Sequence, residues 1–198
     1  MNVYSLDSDC DHYESLTLVE EANDWETMYQ FNATPIGSAW RPLRVESLTD
    51  DDDSAPLLPG DFPLLFPGAP VLSRRAVEVL QPILEGNGEL LQLDCDVGEY
   101  FIFNITKVVD ALNEKDSEIV KFLGSQKVMT IKSFSFVSQR LKGVGIFKLP
   151  QLRLGRSFVT DRFAQAVEKG GLVGFSLEWL WSSDQSSGSP PFKSKTVQ

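Results

Sequence analysis

Few side chains in this sequence stand at spacings that could support catalysis. The one histidine, His12, follows the run Asp9-Cys10-Asp11, and each of these side chains can bind a metal or exchange a proton. Neighbours on an extended chain point in opposite directions, and no second group of ligands follows at a recognisable spacing. The sequence therefore favours a surface turn over a metal site at His12.

Two further pairs of reactive side chains are also incomplete as sites. Asp94 and Asp96 lie two residues apart on a predicted strand, where paired carboxylates could serve as general acid and base. Their neighbours offer nothing that would separate the two pKa values, so we expect solvated carboxylates. Cys10 and Cys95 stand in no cysteine motif and are expected to be ordinary reduced thiols.

The loop motifs that hold calcium or phosphate fail as well. A calcium loop that starts at Asp50 would need Gly at its sixth position and Glu at its twelfth, where this chain has Ala55 and Asp61. Gly143-Val144-Gly145 begins a dinucleotide fingerprint, but Lys148 takes the place of its third glycine. The sequence therefore predicts a protein that is not an enzyme and that binds no metal and no cofactor.

The negative charge of the chain is concentrated in its first third. Residues 1–63 hold 14 acidic and 2 basic side chains, a net charge of −12, whereas residues 64–198 hold 14 acidic and 16 basic ones, a net charge of +2. Such a one-sided field can steer a basic protein partner and repels the phosphates of nucleic acid. We therefore expect a protein partner and no nucleic acid, with a merely solvated acidic surface as the alternative.

The candidate partner-binding surface combines these acids with aromatic side chains. Tyr and Trp are frequent anchors of interfaces, but large aromatic side chains are also usual in cores, and both alternatives stay open here. Trp179 and Trp181, predicted to share one face of the last strand, are assigned to the core. The candidate partner-binding residues are Glu20, Glu21, Asp24, Trp25, Glu26, Tyr29, Trp40, Asp50, Asp51, Asp52 and Asp53.

Short strands joined by polar loops are predicted for the first third. Residues 3–6 and 16–19 have strand composition, and residues 40–48 alternate apolar and polar side chains. Prolines and glycines punctuate residues 57–71, but Phe62 and its neighbours are too apolar to stay in water, which favours an ordered connector over a flexible linker. This portion is therefore expected to be β-rich.

The rest of the chain carries signals for both helices and strands. Ser73 is a plausible N-cap for a helix with Val77 and Leu80 on one face, and Pro82 should end or kink this helix. The further predicted elements are a hairpin over residues 90–103, a helix or a strand over residues 107–122, and strands over residues 127–137 and 145–149.

Residues 157–181 have the clearest pattern in the chain. A short strand leads to Thr160, a good N-cap, and the helix that follows should end at the pair Gly170-Gly171, which can supply a left-handed stop. Asp161 near the start and Lys169 near the end suit the helix dipole. A final apolar strand is predicted to follow the helix.

These elements predict an α+β fold of antiparallel strands with a few short helices. The length of 198 residues suits one compact domain over residues 1–181, made of the acidic portion 1–63 and a second portion 64–181, with a flexible tail over residues 182–198. All apolar runs are far shorter than the about 18 residues of a membrane helix, and the first residues show no secretory signal. We therefore expect a cytoplasmic protein that does not bind membranes.

Four segments of the second portion form a recognisable series. They are Pro70-Val71-Leu72-Ser73 with the helix that carries Val77 and Leu80; Tyr100-Phe101-Ile102-Phe103-Asn104 followed by Val108-Val109-Asp110-Ala111-Leu112-Asn113; Gly145-Ile146-Phe147-Lys148-Leu149; and Ser157-Phe158-Val159-Thr160 followed by a helix and Gly171-Leu172-Val173-Gly174-Phe175. In this order and spacing they resemble the eleventh numbered immunity-protein family of bacterial polymorphic toxin systems. The resemblance covers roughly residues 70–181.

This resemblance implies a small intracellular protein of bacterial competition that binds and silences a toxin made by the same cell or its neighbours. It assigns no catalytic role to any residue, because the matching positions are mainly turn glycines and core aromatics. Residues 1–63 have no counterpart in the resemblance, as expected for a region that sets which toxin is bound.

The sequence therefore predicts an immunity protein that inhibits a cognate toxin by stoichiometric binding. A basic nuclease suits an acidic partner surface, and other toxins stay open. The alternative is a non-catalytic regulatory or scaffold binding module outside toxin systems, and the identity of the neighbouring gene distinguishes the two. The pattern gives neither the strand order nor the oligomeric state.

Overall fold

The computed structural model describes residues 1–19, 24–48 and 56–184. These residues form mostly antiparallel sheets with three short α-helices, which confirms the predicted α+β class and the strands expected in the N-terminal portion. No helix within the described ranges is both long and apolar enough to cross a membrane. Of the predicted tail over residues 182–198, residues 185–198 lie outside these ranges.

The elements have the following bounds. The strands are β1 (Asn2–Ser8), β2 (Ser15–Leu18), β3 (Arg44–Leu48), β4 (Val71–Ser73), β5 (Gly88–Gln92), β6 (Asp94–Cys95), β7 (Tyr100–Ile105), β8 (Glu118–Lys121), β9 (Val128–Ser133), β10 (Ile146–Phe147), β11 (Ser157–Thr160) and β12 (Phe175–Ser182). The helices are α1 (Asp24–Gln30), α2 (Arg74–Leu84) and α3 (Asp161–Gly170), with short 3-10 helices at Gly37–Ala39 and Ser138–Leu141.

The first strand of the chain lies inside a sheet whose other strands come from the last third. The strand order is β10-β11-β1-β12, and all pairs are antiparallel. Val3, Tyr4, Ser5 and Leu6 are all buried because α2 and α3 cover one face of this central sheet and residues 109–141 cover the other. The acidic portion is therefore tied into the core of the second portion by its first strand.

The structure corrects the prediction that Trp179 and Trp181 share one face of β12. Val3 pairs with Trp181 and Tyr4 pairs with Trp179, so Leu180 is an extra residue and β12 has a bulge there. A bulge shifts the alternation of side chains by one position. Trp179 consequently packs on the side of α2 and α3, whereas Trp181 packs on the opposite face.

Helix α2 begins as predicted and ends later than predicted. The Ser73 Oγ accepts a hydrogen bond of 3.1 Å from the Ala76 N–H, which makes Ser73 the N-cap. The helix continues through Pro82 to Leu84. Pro82 stands in the last turn, where the ring removes one N–H donor and leaves few later hydrogen bonds to lose.

Helix α3 confirms the glycine stop but corrects its N-cap. The Thr160 hydroxyl donates to the Val144 carbonyl at 2.7 Å instead of accepting from the helix. Gly171 is left-handed, with a φ of 60°, and the N–H groups of Gly171 and Leu172 both bond back to the last turn at 3.1 Å. Gly171, not Gly170, is therefore the residue that requires a positive φ.

The predicted hairpin over residues 90–103 is present as the pair β5–β7. Its connection does more than turn the chain, because β6 leaves the hairpin and pairs in parallel with β3. The three-stranded sheet β2-β3-β6 thereby joins the acidic portion to the second portion, next to the sheet β4-β7-β5.

Residues 107–122, which fit a helix or a strand, contain no helix. They cross the central sheet through single bridges, Val108 to Lys148 and Leu112 to Phe136, and end in β8. The strand predicted over residues 127–137 is β9, which forms a two-stranded hairpin with β8.

The connector over residues 57–71 is ordered, as predicted. Phe62 and Phe66 are only 4% and 8% exposed. Phe62 stacks on Phe175 with ring centroids 4.5 Å apart, and Phe66 lies 6.0 Å from Phe31. The connector therefore links the core beside α2 and α3 with a separate core beneath β2, β3 and β7.

Candidate partner-binding surface

The predicted partner-binding residues fall into two groups in the structure. In α1, whose backbone includes Asp24 and Trp25, Glu26 is exposed and Tyr29 is 57% exposed. Both could contact a partner, and the partner site stays a prediction. The residues that lie outside the described ranges are Glu20, Glu21, Asp50, Asp51, Asp52 and Asp53.

Trp40 is held within the protein more than it is offered to a partner. Its ring is half-buried and lies 6.2 Å from the ring of Phe31, which is 3% exposed. The Trp40 Nε1–H donates to the Gln92 carbonyl at 2.9 Å, at the end of β5. This tryptophan therefore connects the acidic portion to the β5–β7 hairpin, and Tyr29 is the more accessible of the two aromatic candidates.

A glutamate on β5 fixes the loop that leads to Trp40. The Glu89 carboxylate accepts from the N–H groups of Ile36 (2.6 Å) and Gly37 (3.0 Å) and from the Asn104 amide (2.8 Å). Burial alone would raise the pKa of Glu89, but these hydrogen bonds outweigh it and lower the pKa. Nothing in the sequence marks Glu89 for this role, since its partners lie in a distant segment.

The described part of the acidic portion presents an exposed surface that we call the β2–β3 patch: Glu14, Glu46, Leu48 and Leu58. Leu48 is 50% exposed and Leu58 is 55% exposed. Glu46 and Leu48 are two residues apart on β3 and share a face, and the Glu14 N–H donates to the Leu58 carbonyl at 3.0 Å. The chain leads from this patch directly into Asp50, so apolar side chains lie beside the densest acidic run.

The two predicted carboxylates at the hairpin are paired with an arginine. Asp94 accepts a hydrogen bond of 2.9 Å from one Arg44 nitrogen, and Asp96 accepts from another. All three side chains are exposed. The guanidinium balances both charges, so the pair serves to hold β3 against β6 and offers no acid and base with separate pKa values.

The most buried carboxylate of the acidic portion, Asp61, is also engaged by structural donors. Asp61 is 6% exposed, and it accepts from the Ser73 hydroxyl (2.7 Å), the Arg75 guanidinium (2.7 Å) and the Val173 N–H (3.1 Å). Arg75 also donates to the carbonyls of residues 170 and 171. Asp61 therefore joins the connector to the start of α2 and the end of α3.

His12 lies in a surface turn, the alternative that the sequence favoured. Its Nδ1 is 2.8 Å from Asp9 Oδ1, and this hydrogen bond raises the pKa of His12. Both side chains are solvent-accessible. Among the residues that the structure describes, no group of three or more His, Cys, Asp or Glu side chains is arranged to hold a metal ion.

A pocket beside the connector is too small for a metabolite. Leu6, Phe62, Phe66 and Ser157 contribute to its walls, and its volume is about 30 Å³. Pockets for small molecules have volumes of roughly 300 to 1,000 Å³, whereas one water molecule occupies about 30 Å³ in the liquid. The pocket therefore has room for solvent only.

One basic side chain is buried where the sequence showed only an apolar run. Lys148 is 1% exposed, and its Nζ donates to the Gly68 carbonyl at 2.5 Å. Burial lowers the pKa of Lys148 to about 7. Ser157 donates to the same carbonyl at 3.2 Å, so both side chains hold the connector against the central sheet.

The described residues thus form an α+β protein whose buried polar side chains are engaged in holding the fold. Residues 92–180, from the end of β5 into β12, match the model of the immunity protein family (Imm11). This match confirms the predicted resemblance over these residues, and the segment from Pro70 to the start of α2 lies outside it. No curated protein matches the chain.

Proposed function

We propose that this protein is an immunity protein that acts in the cytoplasm and neutralises a cognate toxin by binding it stoichiometrically, without catalysis. The observation that carries the proposal is the match of residues 92–180 to the immunity protein family. An inhibitor of this kind needs a stable scaffold and an exposed complementary surface, and it needs no reacting side chain.

The polar side chains of the described residues support a binding role. Asp61, Asp94 and Asp96 are all paired with arginines, and Lys148 is enclosed beneath the connector. Such pairing stabilises the fold and leaves these groups poorly placed to meet a substrate. The exposed surface, in contrast, offers both charge and apolar area to a partner.

The acidic portion supports a basic toxin as the partner. Residues 1–63 have a net charge of −12, and the β2–β3 patch adds two half-exposed leucines to acidic neighbours. Enzymes that bind nucleic acid are commonly basic at their active sites, so an acidic inhibitor can occupy such a site and associate quickly. A nuclease is therefore the toxin class that this surface fits best.

Co-expression with the toxin encoded by the neighbouring gene tests the proposal. We expect growth to be restored only when this protein is present, and we expect the two proteins to co-purify at a fixed ratio. An immunity protein from an unrelated toxin system, expressed at the same level, is the matched control and should give no protection. If the toxin kills equally well while this protein is abundant and folded, the proposal is wrong.

A further inference from the structure

The hairpin β8–β9 ends in a cluster of apolar side chains that point into solvent. We call Phe122, Leu123 and Met129 the hairpin tip. Leu123 is fully exposed at 104%, and Phe122 and Met129 are 52% and 50% exposed. Polar residues are the usual choice at the turn of a hairpin, and single exposed leucines are common, but three large apolar side chains on one turn form a patch.

The tip is held in one conformation by its own backbone. The Ser125 N–H donates to the Phe122 carbonyl at 3.0 Å, which closes a turn with Leu123 and Gly124 at its centre. Gly124 has a φ of 71°, as the third residue of a type II turn requires. The Lys127 N–H donates to the Ser125 hydroxyl at 3.0 Å and closes the loop further. A preordered tip loses little entropy when it binds.

The base of the same hairpin is anchored in the core. Ile131 is 5% exposed, and Ile119 and Val128 pack against the same cluster on the outer face of the central sheet. The pairing of β8 with β9 shifts register twice, so β9 bulges at Met129 and Lys132. Bulges redirect side chains away from the regular alternation, and here they accompany an exposed Met129.

The charge of the hairpin is opposite to that of the chain as a whole. Residues 119–132 contain Lys121, Lys127 and Lys132 and no acidic residue, whereas the net charge of the chain is −10. Lys132 is paired with Glu118 at 3.2 Å, and Lys121 donates to Gln126. A complementary surface therefore needs an apolar floor for Phe122 and Leu123 and carboxylates at its rim.

We propose that the hairpin tip is an anchor that inserts into an apolar cleft with an acidic rim on the cognate toxin. This inference rests on the proposed function. The tip lies within residues 92–180, the segment that matches immunity proteins, whereas the acidic portion lies outside that segment. The tip and the acidic portion then contact chemically different parts of one toxin.

Charge favours a toxin over the two other occupants that an apolar tip could have. A chain with a net charge of −10 is repelled by an anionic bilayer, and membrane binding through electrostatics usually takes a cluster of about four to eight basic residues. Two copies of this chain repel each other at long range for the same reason.

Affinity measurements with the toxin encoded by the neighbouring gene test the anchor. We expect the double variant Phe122→Ser, Leu123→Ser to bind about 30-fold more weakly, as for the loss of a central interface anchor. Val97 and Leu154 are 66% and 42% exposed elsewhere, so the double variant Val97→Ser, Leu154→Ser is the matched control and should bind within about 3-fold of wild type. Both variants should keep the thermal midpoint of the wild type.

Each other outcome overturns the anchor in a recognisable way. If the wild type binds the toxin and the tip variant binds equally well, the anchor is wrong and the proposed function stands. If the wild type does not bind the toxin, both fall. If Lys121→Glu, Lys127→Glu tightens binding, the cleft is not acidic. A tip-dependent change in the sedimentation of the free protein, or tip-dependent pelleting with phosphatidylglycerol vesicles, would assign the tip to a second copy or to a bilayer.

Discussion

Lys148 and Leu123 depart from the usual division between apolar core and polar surface, in opposite directions. Lys148 is a 1% exposed amine beneath the connector, and Leu123 is a fully exposed leucine at the hairpin tip. Lys148 has its hydrogen-bond partner, Gly68, within the chain, whereas Leu123 has nothing to pack against in the described residues. The difference separates residues that complete the fold from residues that await a partner.

This contrast makes opposite demands on the two kinds of residue. Changing a side chain whose partner is internal should lower stability and leave toxin binding to the folded fraction unchanged. Changing the tip should leave stability unchanged and weaken binding. Three changes at internal partners are considered below in order of their expected effect.

The largest effect is expected at Lys148. Because the folded-state pKa is about 7 and the unfolded value is 10.5, the unfolded chain binds more protons between these pH values. Stability relative to Lys148→Met should therefore rise with pH from about 7 to about 10, by at most about 4 kcal/mol. Urea unfolding at several pH values measures this difference.

An exposed lysine nearby supplies the control for that experiment. Lys142→Met should leave the pH dependence of stability as it is in the wild type, because Lys142 is exposed. If Lys148→Met has the same pH dependence as the wild type, Lys148 is protonated in the folded protein and reaches water.

A smaller loss is expected at Asp61. Asp61→Ala leaves a hydroxyl, a guanidinium and an N–H without their acceptor and should lower the free energy of unfolding by about 3 kcal/mol. Asp110→Ala removes an exposed partner of Arg140 and should cost under about 1 kcal/mol. Both are measured as shifts of the urea midpoint.

The Asp61 experiment also reports on domain organisation. Since β1 lies within the central sheet and Asp61 joins the connector to α2, we expect one cooperative transition in both variants. Two separate transitions would show that residues 1–63 unfold by themselves.

The two glycines that end α3 should cost about 1 kcal/mol each, for different reasons. Gly171→Ala is strained by the φ of 60°. A Cβ at position 170 would lie 2.5 Å from the Cγ1 of Val79, so Gly170→Ala forces a shift in the packing of α2 on α3. Adding Val79→Ala should relieve the clash at position 170 and leave the cost at position 171. Relief of both, or of neither, would contradict this assignment.

Local signals predicted those elements whose cause lies within a few residues. Ser73 caps α2 and Gly171 stops α3 through hydrogen bonds to the adjacent turn, and the pair β5–β7 is close in the chain. The central place of β1 left no such signal, since its pairing partners lie more than 150 residues away. Thr160 was misassigned as a cap because the Val144 carbonyl, from another segment, takes its hydroxyl.

The candidate site was predicted less fully than the fold. Charge pointed to the acidic portion, but the hairpin tip stayed hidden because residues 107–122 fit a helix as well as a strand. The burial of Lys148 was equally hidden, since only the fold brings Gly68 to its amine. Exposure of an apolar side chain and burial of a charged one are properties of the folded chain, and periodicity alone does not give them.

Stopped-flow mixing with the neighbour-encoded toxin decides whether this protein is a toxin inhibitor with two distinct contact surfaces. We expect Phe122→Ser, Leu123→Ser to speed dissociation about 30-fold with little change in association. Changing Asp50, Asp51, Asp52 and Asp53 to Asn should instead slow association several-fold at low salt, and the difference should vanish at high salt. If the wild type forms no complex at micromolar concentrations, it does not inhibit this toxin. Equal rates for all three proteins would place the contact elsewhere.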